Sequence, residues 1–111
     1  MEKLERNRAI VKEILTEYSQ RKPSYGEVEA YTCFDEQGEH YQVIRTGWHK
    51  DRRIYGCSIH IDLKGDKIWI QYDGTEIGIA NELLDRNISK QDIVLAFHEP
   101  FARQFTEFAV G

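Results

Sequence analysis

Residues 27–72 read EVEAYTCFD, EQGE, HYQVIRTGW, HKDR, RIYGCSIHIDL, KGD and KIWIQY. In the first piece Val28, Ala30, Thr32 and Phe34 alternate with Glu29, Tyr31, Cys33 and Asp35, which is the period of a strand with one face buried. Glu36–Glu39 has hairpin composition, and a second strand over 40–48 follows. His49–Arg52 is a short basic turn. Residues 53–63 form a long third strand, with Tyr55, Cys57, Ile59, Ile61 and Leu63 predicted on one face. Lys64-Gly65-Asp66 turns the chain into a fourth strand over 67–72. Short connections between consecutive strands require an antiparallel meander. Gly47 and Gly56 fall inside strands and mark bulges or close contacts. Glycines recur at 38, 47, 56, 65 and 74, but the residues after each do not match, so this is no repeat.

Working outward, Leu4, Ile10, Val11, Ile14, Leu15 and Tyr18 lie at helical spacing among charges, which predicts an amphipathic helix over 3–21. Arg21 and Lys22 are placed as cations in its last turn, Pro23 stops it, and Ser24–Gly26 turns the chain. Past Asp73-Gly74, Thr75 is expected to cap a helix running to about Asn87. Ser89-Lys90-Gln91-Asp92 has the form of a capping box. Ile93–Phe97 fits either a short helix or a buried strand, and Phe101, Phe105 and Phe108 give a tail expected to pack. The fold class is α+β: an N-terminal helix, a four-stranded antiparallel β-meander and C-terminal helical segments.

The chain has 111 residues, the size of one domain, and 15 basic against 19 acidic residues give a net charge of −4. That balance weighs against a protein whose main task is gripping phosphate backbones. Charges interrupt the first residues where a signal peptide needs an apolar run, and no window approaches a membrane span. Cys33 and Cys57 form no CxxC pattern and point to free thiols in a reducing cytoplasm.

Several residue groups carry chemistry. His60 and Asp62 share a strand face, and with Asp73, Glu76, His98 and Glu99 they have the residue types of a metal site. No H-E-x-x-H, C-x-x-C or EF-hand spacing accompanies them, and a solvated strand face accounts for the same letters. No metal and no cofactor is therefore assigned. Asp73-Gly74-Thr75-Glu76 has acid/base residue types, yet equally those of a turn entering a helix. Cys57 is placed on the apolar strand face as an inert thiol, with Cys33 more exposed. Arg45, Lys50, Arg52 and Arg53, with Trp48 nearby, have the composition of a single-stranded nucleic-acid contact. Against it, residues 73–99 hold Asp73, Glu76, Glu82, Asp85, Asp92 and Glu99 but only Arg86 and Lys90. The sheet face opposite the apolar positions collects Tyr31, Trp48, Ser58, His60, Trp69 and Gln71. Such a surface suits protein contact, a homodimer included, or is covered by the C-terminal tail as a second core.

Lys67–Leu83 (KIWIQYDGTEIGIANEL), Asp92–His98 (DIVLAFH) and Thr106–Val110 (TEFAV), with Pro23–Gly26 and Arg53–Cys57 upstream, form one combined pattern. The chain resembles the XisI family, the fdxN-element excision controlling factors of filamentous cyanobacteria, over essentially its whole length. The resemblance implies a single XisI-like domain over 1–111 and a process: excision of a DNA element during differentiation of nitrogen-fixing heterocysts. It implies a nuclease-like companion, XisH, and an indirect link to a site-specific recombinase. It implies no catalytic residues. The expectation is a cytoplasmic, non-catalytic factor that binds a XisH-like partner through Trp48, Trp69, Asp73, Glu76, Glu82 and Asp85. A DNA-binding accessory factor using the 45–53 hairpin is the alternative, and a metal-dependent hydrolase the third.

Overall fold

The computed structural model describes residues 2–21 and 26–111. Helix α1 spans Lys3–Ser19, and strands β1 (Glu27–Asp35), β2 (His40–His49), β3 (Arg52–Lys64) and β4 (Lys67–Asp73) follow. Helix α2 (Ile79–Asp85), a 3-10 turn at Lys90–Asp92, strand β5 (Ile93–Leu95) and the short helix α3 (Pro100–Arg103) complete the chain. The sheet has five strands in the order β1-β2-β3-β4-β5, and β5 runs parallel to β4. The expected four-stranded antiparallel sheet is thus one strand short. Ile93–Leu95 is the buried strand of its two readings, and residues 74–92 supply the crossover that a parallel pair needs. Ala109 bridges the far side of β5 at Val94.

Helix α1 is shorter than predicted, so Arg21 lies past its last turn rather than in it. The predicted stop at Pro23, the cation Lys22 and the turn at Ser24-Tyr25 lie outside the described residues. Helix α2 starts at Ile79 and not after Thr75, because Gly78, with φ 93°, breaks the helical path. Ser89 accepts from the Gln91 amide and caps only a 3-10 turn, while Asp92 pairs with Lys3.

Val11, Ile14 and Leu15 of α1 and Ile79 and Leu83 of α2 pack on one sheet face. There they meet Tyr41 and Val43 of β2, Ile59 and Ile61 of β3, and Ile68 and Ile70 of β4. Each fully buried side chain of this size contributes about 1.5–3 kcal/mol by leaving water. Arg8 of α1 ties the helix to the first hairpin by donating to Glu39, which also accepts from the Tyr41 hydroxyl. Burial, and then the bond to Glu39, push the Tyr41 phenol up to about 12.

Two irregularities set which side chains share a face. Val43 pairs with Ile59 but Ile44 pairs with Cys57, so Ser58 is an extra residue on β3. Ile61 pairs with Ile70 but His60 pairs with Tyr72, so Gln71 is an extra residue on β4. The predicted single face Tyr55–Leu63 is therefore wrong in its first half. Tyr55 and Cys57 point away from the core, and Tyr55 is exposed. A bulge reverses the alternation for every residue on one side of it. Among the described residues, no helix is long and apolar enough to cross a membrane.

Candidate functional site

The helical side carries the acidic surface. Glu13 and Glu17 of α1 and Glu82 of α2 surround the Arg86 guanidinium at 3.7, 3.1 and 3.7 Å. Three carboxylates around one cation leave negative charge in excess, and Asp85 stands exposed on the same short helix. Each pair is partly solvated, so its contribution to folding is small and its effect is mainly on the surface potential. Beside this patch a cleft of about 350 Å³ opens between Tyr18, Arg21 and Arg45 on one wall and Thr75, Glu76 and Glu82 on the other.

Asp73 belongs to the scaffold of this region and not to its free surface. Its Oδ1 accepts from the Thr75 amide and hydroxyl, and its Oδ2 accepts from the amide of Ile79, the first residue of α2. Replacing Asp73 with alanine leaves those donors unmatched and is expected to cost about 1–3 kcal/mol. Thermal melting of Asp73→Ala beside Glu76→Ala checks this, since Glu76 is exposed and its loss is expected to change little.

The opposite sheet face is aromatic. Tyr31, Trp48, Tyr55 and Tyr72 are exposed on it, and the Arg53 guanidinium lies 5.4 Å from the Trp48 ring. Trp69 is half-covered: Lys64 and Arg103 stand at 4.4 and 5.6 Å from its ring, and Gly111 closes against it. The tail therefore covers one corner of this face and is not a second core. Phe101 and Phe105 stay exposed, and Phe108 alone of the three packs against the core. The six residues expected to form one interaction site are consequently divided. Trp48 and Trp69 lie on this face, while Asp73, Glu76, Glu82 and Asp85 lie by the helices. The basic group is divided too. Arg45 lies on the helix side, where it donates to the Tyr18 hydroxyl, while Lys50, Arg52 and Arg53 stay at the β2–β3 turn.

The two bulges bring together a cluster that sequence reading found only in part. His40 Nδ1 and His60 Nε2 approach the same oxygen of Asp62 at 2.7 and 2.8 Å. Gln71 donates to the other oxygen at 3.1 Å. Asp62 is nearly buried, whereas the His40 and His60 side chains are 53% and 31% exposed, so the cluster opens to solvent through its imidazoles. Burial acts to raise the Asp62 carboxyl, but the bonds to His40 and His60 outweigh it and hold the group below its ordinary value. His40 is raised, first by its hydrogen bond to Asp62 and then by that charge. Counting register inward from the β2–β3 turn places His40 opposite Ile61; the extra residue at Ser58 moves it opposite Asp62.

The family model described as XisI protein matches residues 1–110. The chain belongs to the XisI family. A XisI-like protein from Anabaena variabilis is 37% identical, with a TM-score of 0.89 over 97% of this chain and 99% of that one. A second solved structure, described as fdxN element excision controlling factor XisI from Anabaena variabilis, is 32% identical. Its TM-score is 0.82, over 99% of this chain and 100% of that one. No curated protein matches the chain. XisI membership thus extends over both the acidic helical side and the aromatic sheet face.

Proposed function

We propose that this XisI-family chain controls excision of a DNA element without catalysing it, by binding a nuclease-like partner of the XisH type. Family membership supports the process, and one solved relative is described as an excision controlling factor. The observation that carries the mechanism is the gathering of Glu13, Glu17 and Glu82 around a single arginine, with Asp85 exposed on the same helix as Glu82. An acidic surface of this kind attracts a basic one, speeds encounter and occupies the positions that DNA phosphates would take.

The experiment starts from co-purification with a XisH-like protein and mass determination in solution. Affinity is then measured at low and moderate salt for the native chain and the double variant Glu82→Lys/Asp85→Lys. The expected result is weaker binding at low salt by about tenfold or more, with a shallower salt dependence. Equal affinity in the two chains rejects the acidic surface as the contact and moves attention to the Trp48–Arg53 corner.

A further inference from the structure

We propose that His40, His60 and Asp62 form a binding site for a divalent transition-metal ion of the zinc type. The three ligand atoms come from adjacent strands β2 and β3 and all lie within 4.8 Å of one another. Two imidazole nitrogens and one carboxylate oxygen are the donor set that zinc-type ions prefer; calcium and magnesium select oxygen. The present spacing of 2.7 and 2.8 Å is that of hydrogen bonds to a shared oxygen. A tetrahedral ion with bonds of about 2 Å needs donor atoms ~3.3 Å apart, so small side-chain rotations convert one arrangement into the other. Both imidazoles are partly exposed, so solvent and an entering ion reach them.

The supporting structure is more specific than a chance meeting of polar groups. Both bulges of the sheet flank this cluster: Ser58 sets His40 opposite Asp62, and Gln71 is itself the extra residue on β4. Bulges commonly re-aim side chains beside functional sites. Gln71 holds the second Asp62 oxygen, which leaves the first directed at the two histidines. A second-sphere partner acts on a metal-binding carboxylate in this way. To bind the ion, His40 presents Nδ1 and His60 presents Nε2 as lone pairs, and each ring keeps its proton on the other nitrogen. With three protein ligands, the remaining coordination positions face the exposed aromatic side of the sheet, open to water or to a side chain of a bound protein.

The test uses the full chain without a histidine tag. Zinc binding is measured by titration calorimetry, and cobalt substitution by the visible d–d absorption of the bound ion. One equivalent of metal is expected, with cobalt bands typical of low coordination number. His40→Ala and His60→Ala are expected to abolish both signals. Gln71→Ala is expected to weaken zinc binding by about tenfold. Cys33→Ser and His98→Gln, which lie outside the cluster, are expected to bind as the native chain does. Absence of one-to-one zinc binding overturns the proposal, as does equal binding by the native and His60→Ala chains. Neither result bears on partner binding through the acidic surface, so the two readings fail separately.

Discussion

Gly47→Ala is expected to lower stability by about 3 kcal/mol, because its Cβ has nowhere to go. An added Cβ would stand 2.1 Å from the Glu27 carbonyl oxygen and 2.7 Å from the Val28 Cα. Both are backbone atoms of the neighbouring strand, so no rotamer change relieves the contact. The φ of 155° adds a conformation that L side chains rarely adopt. Strand β1 must move away, and it is the edge strand, held in the sheet by its pairing with β2. For a domain of this size the expected fall in Tm is roughly 10 °C, and β1 amides should lose hydrogen-exchange protection before those of β3. Gly56→Ala is the control, since an added Cβ there meets nothing within 4 Å. Similar melting temperatures for the two variants would refute this account of Gly47.

Ile61→Ala is expected to cost about 3–4 kcal/mol. Ile61 is fully buried on the central strand, paired with Tyr41 on one side and Ile70 on the other, beneath the helices. Its neighbours belong to several elements and cannot all collapse into the space, so the transfer loss is accompanied by a cavity. Urea unfolding should show a lower midpoint with an unchanged slope, the signature of lost stability with the same surface exposed. Ile77→Ala, at a position 59% exposed, should remain within about 0.5 kcal/mol of the native chain. Comparable losses at Ile61 and Ile77 would show that the core is not centred where the structure places it.

The same residues show why some features were legible and others not. The four long strands and α1 were readable because their apolar positions follow periods of 2 and 3.6, and the turns between strands are short and polar. Strand β5 was ambiguous because three consecutive apolar residues carry no period, and only pairing with β4 decides their state. Helix α2 is shorter than its pattern predicts because the Asp73–Gly78 segment is held by side-chain bonds to Asp73 and not by helical ones. Of the candidate sites, the acids on α2 were readable, but Glu13 and Glu17 join them only through the packing of α1 beside α2.

The sequence by itself determined the strand periodicity, the apolar stripe of α1, the acidic balance and the family pattern. It also contained the conflict that demands a bulge. A turn that pairs His49 with Arg52 sets odd residues of β2 against even residues of β3, yet Tyr41 and Val43 must share the core with Ile59 and Ile61. Where that conflict is resolved depends on packing across three strands and the helices above them, which no local pattern encodes. The tertiary structure resolves it at Ser58. In doing so it turns Tyr55 and Cys57 away from the core and brings His40 onto Asp62, because a one-residue change in register exchanges the two faces of a strand.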